Sequence, residues 1–367
     1  MKVAVITRHA IANYGSLLQA MATQQTIEDM GHCCQIIDYI RSDESYNKRE
    51  LTLLRQKPQW YNNPVKRIIY LALRQPESIL TGKRFAKHQK AYLHCTRRYT
   101  SLEELTRDKP EADVYLTGSD QVWGPVENGS YDPAYCLSFT EDQDHRAAYA
   151  ASFGRTALTD EIREYYRKWL SRYQQIAVRE SSALEMLKDW GIDAQQVLDP
   201  TLLLDQNYWS KHTKPIRHQK YVLVYQLHND PLLGQYAQKV AKQMGLPLIR
   251  ISATMHQVSR PGKFVWAPDP GKFLSYIKNA ACMVTDSFHG TAFAINFNTP
   301  FVEVLPNNKT GTRNMSILEL TGLTGRILRD PEDVALASQE VDFSYANQIL
   351  AEKRQESLAI FREILSD

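Results

Sequence analysis

The sequence predicts an α/β fold in which two Rossmann-like domains face each other across a cleft and an amphipathic helix ends the chain. Three observations support this prediction. The chain has 367 residues, which is more than one hydrophobic core ordinarily holds. Short apolar segments alternate with amphipathic ones, the rhythm of parallel α/β sheets. This alternation passes through two successive cycles, and the second begins after about residue 205.

The first cycle, residues 1–205, is the predicted N-terminal domain. Apolar segments predict its strands, and apolar residues at helical spacing predict its helices. Strands are expected at 2–8, 112–120 and 146–154 and in CQIIDYI, QIAVRE and AQQVLDPTLLL; helices are expected at 15–31 and in TDEIREYYRKWLSRY and SSALEMLKDWG. The glycine that ends the first and last of these helices is a common C-cap.

The second cycle, residues 206–345, is the predicted C-terminal domain. Its strands are expected in YVLVYQL, PLIRIS, ACMVTDS and PFVEVL, and its helices in LLGQYAQKVAKQMG, DPGKFLSYIKNA and HGTAFAINFN. Residues 346–367 carry apolar positions at helical spacing and predict one terminal helix. Ligands of such folds bind at the carboxyl ends of the strands, so those ends are where functional residues are expected.

The positive charge is concentrated in one block. Residues 41–100 contain 14 Lys/Arg and 4 Asp/Glu, a local charge of +10, whereas the remainder has 30 Lys/Arg and 37 Asp/Glu, a charge of −7. The block is interpreted either as a helical excursion with a solvated face or as a surface for peripheral membrane contact or for a polyphosphate carrier. Because no groove-reading motif accompanies the charge, no nucleic-acid partner is predicted.

A cytoplasmic location is expected, with membrane association as an alternative. No apolar run reaches the roughly 18–20 residues that span a bilayer, and the start of the chain does not resemble a signal peptide. The five cysteines are odd in number and lack metal-ligand spacing, so reduced thiols and no metal site are predicted. The chain contains no G-x-S-x-G, P-loop or G-x-G-x-x-G motif.

Small polar residues follow two predicted strands of the first domain. Asn13, Tyr14 and Gly15 precede a helix whose first N–H groups could bind an anion, although a plain turn with an N-cap explains them equally well. Ser119 and Asp120, close to Trp123, suit a sugar, which uses hydrogen bonds at its edges and apolar contact on its face. The alternative is a turn with a packed tryptophan.

Arg179 ends a third strand of this domain, immediately before a helix. An arginine can hold a carboxylate or phosphate through two parallel hydrogen bonds. A structural ion pair is the alternative interpretation.

The segment DSFHGT, residues 286–291, ends an apolar strand and begins an apolar helix. Ser287, His289, Gly290 and Thr291 therefore stand at a helix N-terminus, whose partial positive charge attracts anions. Histidine changes charge near neutral pH and can transfer a proton during a reaction. A core histidine is the alternative. Two cations of the next polar loop are expected at the same edge: Lys309 and Arg313.

Several segments together resemble the polysaccharide pyruvyl transferase family. They are NYGSLLQA near the start, YLTGSDQVWGP (115–125), YAASFG (149–154), AVRE (177–180), VLDPTLLL (197–204) and VTDSFHGTAFAINFNTPFV (284–302). The resemblance extends over about residues 1–325, and SDQVW followed by DSFHGT is its most specific part. Some members of the family read Arg-Leu-His where this chain reads Ser-Phe-His, which leaves the donor-side contacts open.

The resemblance implies a glycosyltransferase-B-like pair of domains, with the acceptor bound by the first and the donor by the second. It implies transfer of the pyruvyl unit of phosphoenolpyruvate to a sugar, often as a cyclic ketal, in cell-surface polysaccharide biosynthesis without a cofactor. The family's essential histidine corresponds to His289, its strand-end arginine to Arg179 and its downstream lysine to Lys309.

The residues suit this chemistry. His289 is the expected general acid, and Arg179 would hold the donor's carboxylate or phosphate. Lys309 and Arg313 would stabilise the leaving phosphate, and Asp120 would orient or deprotonate the acceptor hydroxyl. Two other functions stay open: a glycosyltransferase that uses a nucleotide sugar, and a carbohydrate-binding protein without catalysis. The acceptor sugar is unidentified and could be free, nucleotide-linked or lipid-linked.

Overall fold

The computed structural model describes residues 1–126, 128–217, 219–306 and 311–366. The chain divides into two compact units. Unit 1 contains Met1–Pro200 and Ala359–Asp367, and unit 2 contains Thr201–Leu358. Each unit has its own parallel sheet, so the predicted α/β fold with two Rossmann-like domains is confirmed.

Unit 1 is built on a seven-stranded sheet in the order β3-β2-β1-β4-β5-β6-β7, and every neighbouring pair is parallel. Its strands are β1 (Lys2–Ile6), β2 (Cys33–Tyr39), β3 (Cys95–Tyr99), β4 (Val114–Thr117), β5 (His145–Ala151), β6 (Gln175–Val178) and β7 (Gln195–Gln196). The central strands are buried on both faces, as is usual for strands covered by helices on each side.

The helices of unit 1 are α1 (Tyr14–Asp29), α2 (Arg49–Arg55), α3 (Pro58–Tyr61), α4 (Pro64–Tyr92), α5 (Leu102–Arg107), α6 (Asp160–Leu170) and α7 (Ser181–Asp189), with a 3-10 turn at Pro133–Cys136. The basic block therefore forms three consecutive helices, and α4 is by far the longest. Within the described ranges, no helix is both long and apolar enough to cross a membrane.

Unit 2 has a five-stranded parallel sheet in the order β10-β9-β8-β11-β12. Its strands are β8 (Val222–Tyr225), β9 (Leu248–Ser252), β10 (Lys263–Trp266), β11 (Cys282–Thr285) and β12 (Phe301–Glu303). The helices that lie wholly or mostly in unit 2 are α8 (Pro200–Leu203), α9 (Gln206–Lys211), α10 (Pro231–Met244), α11 (Pro270–Asn279), α12 (Phe288–Asn296), α13 (Gly311–Leu320) and α14 (Ser344–Ile364). Three 3-10 turns lie at Met255–Gln257, Thr324–Arg326 and Val334–Ser338.

Two edge strands were not predicted, and one predicted strand is mostly absent. The strands Cys95–Tyr99 and Lys263–Trp266 lie at the edges of their sheets, where partly exposed side chains weaken the apolar pattern. In AQQVLDPTLLL the strand is limited to Gln195–Gln196, and a helix begins at Pro200. Proline is favoured at the first position of a helix, which explains the early change.

Candidate active site

The strand order of unit 1 changes direction between β1 and β4, because β2 and β3 lie on one side of β1 and β4 to β7 on the other. At such a switch point the loops leaving the two central strands diverge, and ligands of open α/β sheets bind there. The loop after β1 ends at Asn13, Tyr14 and Gly15 are the first residues of α1, and the loop after β4 contains Ser119 and Asp120. The sequence-predicted residues that follow β1 and β4 therefore lie at the switch point, whereas Arg179 follows β6.

The residues after β4 are held in a buried hydrogen-bond network. Ser16 donates to the Asp120 carboxylate over 2.5 Å, and Thr7 donates to the Ser119 carbonyl over 2.8 Å. Asp120 has a φ of +80°, which is uncommon outside glycine and is typical of strained functional loops. The side chain of Asp120 is thus fixed in place at the end of β4.

The residues after β1 serve the helix rather than an open anion site. Asn13 is the N-cap of α1, and its side-chain oxygen accepts the Gly15 N–H over 2.8 Å, so this N–H group already has a partner, and anion binding by Gly15 stays a prediction. Tyr14 is fully buried, with its ring 5.2 Å from that of Phe85. The loop is a capped turn with a core tyrosine.

Trp123 does not present its face to a sugar. It is fully buried among aromatic rings, including Phe153 at 5.0 Å, and its indole N–H donates to the Tyr135 carbonyl over 3.2 Å. The alternative of a turn with a packed tryptophan is therefore the structure that forms. Ser119 and Asp120 lie on that turn.

Arg179 is buried between two carboxylates. Its guanidinium contacts Asp199 over 2.7 Å and Glu180 over 3.2 Å, and Ser119 donates to the same Asp199 oxygen over 2.9 Å. Burial opposes the charge, but the carboxylates of Glu180, Asp199 and Asp120 outweigh it and hold the pKa of Arg179 above its ordinary value. Arg179 therefore forms the structural ion pair that was the alternative prediction, and it shares the Asp199 carboxylate with Ser119.

Unit 2 has its own switch point, between β8 and β11. Asp286, directly after β11, accepts the N–H groups of Leu227 over 2.7 Å and His228 over 2.9 Å, which joins the two diverging loops. A cavity of about 410 Å³ adjoins this junction, with His228, Asp286 and Pro306 in its wall. Asp286, the first residue of DSFHGT, thus lies at the place where a ligand of this sheet is expected.

The N-terminus of α12 brings the DSFHGT side chains together. Ser287 is the N-cap and accepts the Gly290 N–H over 3.2 Å, while His289 is the second residue of the helix. His289 is buried, and the ring of Phe288 meets it edge-on at 5.1 Å. The helix end supplies a partial positive charge beside this histidine, as the sequence predicts.

A buried carboxyl group that the sequence analysis missed lies beneath this turn. Glu303, the last residue of β12, contacts the hydroxyl of Thr291 and accepts from the Asn314 amide over 2.6 Å. Burial raises the pKa of Glu303 to about 8, and the charge of Asp286 adds to the rise. Glu303 stands in an apolar strand, FVEV, and this is the one signal that could have identified it.

The two cations predicted downstream are placed differently. Lys309 lies outside the described residues. Arg313 lies in the first turns of α13 and is half-buried, next to the Asn314 that binds Glu303. Its backbone is therefore tied to the same cluster as Thr291. His289, Ser287, Gly290, Thr291 and Arg313 belong to unit 2, and Asn13, Ser119, Asp120 and Arg179 to unit 1.

Solved structures that are similar to this fold include an epimerase and a glycosyltransferase. A UDP-GlcNAc 2-epimerase from Neisseria meningitidis bound to UDP-GlcNAc has a TM-score of 0.51 and 9% identity, with 100% of this chain and 99% of that chain covered. A spinosyn rhamnosyltransferase complexed with thymidine diphosphate has a TM-score of 0.51 and 10% identity, with both chains covered completely. The protein is therefore a two-domain α/β protein of the GT-B-like class.

The family model for polysaccharide pyruvyl transferases matches residues 13–309, most of the chain. The chain belongs to the polysaccharide pyruvyl transferase family, as the sequence analysis predicted. The matched range includes Ser119 and Asp120 after β4, the switch point of unit 2 and the whole of DSFHGT, whereas β1 lies before it. Among curated proteins, none matches the chain by sequence.

Proposed function

We propose that this enzyme transfers the pyruvyl group of phosphoenolpyruvate to two hydroxyls of a sugar, as a cyclic ketal, in cell-surface polysaccharide biosynthesis. The family membership supports the reaction class. The observation that carries the chemistry is the position of His289 at the N-terminus of α12, on the switch point of unit 2. An anionic donor suits this helix end, and a histidine there can supply the proton that the reaction requires.

In the proposed mechanism His289 protonates the methylene carbon of phosphoenolpyruvate, which becomes a methyl group and leaves C2 electrophilic. One sugar hydroxyl attacks C2 and returns its proton to the histidine. The C2–O bond to phosphate then breaks, and the second hydroxyl attacks C2 to close the ketal while its proton leaves with phosphate. The products are the ketal and inorganic phosphate, so all atoms and charges balance.

The other residues take supporting roles in the proposal. Lys309 and Arg313 stabilise the charge of the leaving phosphate, and Asp120 orients the acceptor hydroxyl, which is the one of its two expected roles that this proton balance uses. The network around Asp120 supports its role, because Ser16 holds the carboxylate at 2.5 Å. Arg179 is assigned a positioning role, since Asp199 and Glu180 already occupy its guanidinium. The reaction proceeds without a cofactor.

The test is phosphate release from phosphoenolpyruvate with a panel of sugar acceptors. We expect His289→Ala to lower turnover by roughly 10²–10⁴-fold, the usual contribution of a general acid. His256→Ala, a change of an exposed histidine in the same unit, is the matched control and should keep full activity. A folded His289→Ala protein with unchanged turnover would remove His289 from the mechanism.

A nucleotide-sugar glycosyltransferase is the second candidate function, because the structural neighbours include enzymes bound to UDP-GlcNAc and thymidine diphosphate. Thermal shift separates the two donors. We expect phosphoenolpyruvate to raise the melting temperature and UDP- or TDP-sugars to leave it unchanged. Stabilisation by a nucleotide sugar alone would reject the proposed donor, and sugar binding without phosphate release would indicate a non-catalytic carbohydrate-binding protein.

A further inference from the structure

The long helix α4 exposes an apolar stripe that the candidate site does not use. Val65, Ile68, Ile69, Leu73 and Leu80 are between 49% and 72% exposed. At 100° per residue these positions fall within one side of the helix. Contiguous apolar surface of this kind marks a place where another molecule binds.

The opposite side of α4 is fixed to unit 1. Phe85 packs against Tyr14 with ring centroids 5.2 Å apart, and Gln89 donates to the His9 carbonyl over 2.9 Å. Ser78, Thr81 and other residues of the same side are buried. The exposed stripe is therefore the outer face of a helix whose inner face is already occupied.

Toward the C-terminus of α4, the same outer face carries positive charge. Lys83, Lys87 and Lys90 are exposed and lie on the same side as the apolar stripe, one turn apart from each other. Across its 29 residues the helix has seven Lys/Arg and one acidic residue, Glu77. The face thus combines an apolar half with a cationic half.

Aromatic residues stand at the other end of the stripe. Trp60, in α3, is 42% exposed, and the ammonium of Lys66 lies 5.8 Å from its ring. Tryptophan beside lysine is favoured at a lipid–water interface, where the ring enters the headgroup layer and the ammonium stays in water.

We propose that the outer face of α3 and α4 docks on the surface of an anionic lipid bilayer. Charge and shape select this occupant. In a dimer formed through this face, two strongly cationic helices would face and repel each other. Anionic lipid headgroups instead complement the lysines, and the apolar stripe can enter the boundary of the acyl chains. The helix lies on the membrane rather than across it, because seven cationic side chains are spread along its length.

The position of α4 also bears on which kind of acceptor the enzyme uses. α4 contacts the loop after β1 through His9 and the first residue of α1 through Tyr14, and this loop forms part of the switch point of unit 1. Docking therefore favours a lipid-linked sugar as acceptor. The inference of a lipid-linked acceptor rests on the proposed function and fails with it, whereas docking itself is measured without donor or acceptor.

The test is co-sedimentation of the full chain with sucrose-loaded vesicles, of phosphatidylcholine alone or of equal parts phosphatidylcholine and phosphatidylglycerol. We expect binding to the anionic vesicles only. The variant Lys83→Glu/Lys87→Glu/Lys90→Glu should lose about tenfold or more of the partition coefficient, and Ile68→Ser/Leu73→Ser should lose a similar factor. Both variants should keep the far-UV spectrum and melting temperature of the wild type, because the changed side chains are exposed.

The matched control is Lys188→Glu/Lys211→Glu/Lys220→Glu, which changes the net charge equally through exposed lysines elsewhere. It should lower the partition coefficient far less. Equal binding to neutral and anionic vesicles, no binding to either, or equal losses in the two lysine variants would overturn the proposal. Dimerisation of the wild type in solution that Ile68→Ser/Leu73→Ser abolishes would assign the face to a second copy and would also overturn it.

Discussion

The sequence allows Arg179 to be either a ligand-binding residue or a member of a structural ion pair, and in the structure it forms the ion pair. Its guanidinium and the carboxylates of Asp199 and Glu180 are all at most 5% exposed. Removing Arg179 would leave two buried carboxylates without this cation, which is more costly than losing the pair as a whole. The residue thus contributes to the stability of the fold whether or not a substrate is bound.

We therefore expect Arg179→Ala to lower the free energy of unfolding by about 3–5 kcal/mol. Arg167→Ala, which removes a half-exposed partner of Glu164, should cost less than about 1 kcal/mol. Chemical denaturation followed by tryptophan fluorescence measures both. A stable Arg179→Ala protein with weakened phosphoenolpyruvate binding would instead support a direct contact with the donor.

Glu303 makes stability depend on pH. Its pKa is about 8 in the folded chain and near 4.5 when exposed, so between these values the folded state keeps a proton that the unfolded state releases. The free energy of unfolding should consequently fall as pH rises from about 4.5 to about 8. The neutral acid is compatible with its surroundings, because Thr291 can turn its hydrogen to the Ser287 carbonyl, 3.1 Å away.

Glu303→Gln should flatten this dependence, since the amide stays neutral at every pH. Relative to the wild type, the variant should gain stability as pH rises from about 5 to about 8, whereas the exposed Glu319→Gln should behave like the wild type. Thermal melts across that range provide the measurement. Parallel pH profiles for the wild type and Glu303→Gln would show that the group is ionised in the folded protein.

The helix α12 depends on close packing against the sheet of unit 2. A Cβ atom added to Gly290 would lie 2.7 Å from the Thr285 hydroxyl, 2.8 Å from the Met283 methyl and 3.1 Å from the Tyr225 ring. Glycine therefore lets the helix approach β11 and β8 closely enough to hold His289 at the switch point. The DSFHGT motif thus combines a packing requirement with a chemical one.

Gly290→Ala should destabilise the protein by about 1–3 kcal/mol, the usual cost of overpacking a buried contact. The matched control is Gly325→Ala in the same unit, where the added methyl meets nothing within 4 Å, and it should change stability by less than about 0.5 kcal/mol. Comparing their melting temperatures tests the argument. Equal melting temperatures for the two variants would mean that α12 can shift to accommodate the methyl group.

The chain crosses between the two units twice, so its last residues belong to the first unit. Residues 344–358 of α14 are part of unit 2, but Ala359–Asp367 are part of unit 1. There Phe361 stacks on Tyr149 at 4.0 Å, and Ile364 and Leu365 are buried. The predicted terminal helix is thus a shared element rather than an appendage.

Deleting residues 359–367 should destabilise unit 1 by an amount on the order of 5 kcal/mol, because three large apolar side chains are lost from its core. Hydrogen exchange followed by mass spectrometry should show faster exchange in β5 and little change in β8 and β11. Deletion of residues 366–367 alone is the control and should leave all rates unchanged. Faster exchange confined to unit 2 would contradict this assignment.

Local pattern predicted the architecture well, because a buried parallel strand has to be apolar and a helix covering it has to be amphipathic. Strands such as KVAVI and CMVT show the required apolar pattern in their own residues. The edge strands Cys95–Tyr99 and Lys263–Trp266 escaped prediction, since one-sided exposure removes the constraint. The order of residues also placed Asp120 and His289 at strand ends, where α/β folds bind ligands.

The partners of those residues could not be read from the chain, because they come from distant positions. The chain passes through α7 before Asp199 reaches Arg179, and it returns to the sheet in β12 before Glu303 reaches Thr291. Whether an arginine is open to a ligand or enclosed by carboxylates depends on burial, and burial is a property of the packed fold. The same holds for Glu303, whose raised pKa arises from the low polarity around it and has no counterpart in the sequence.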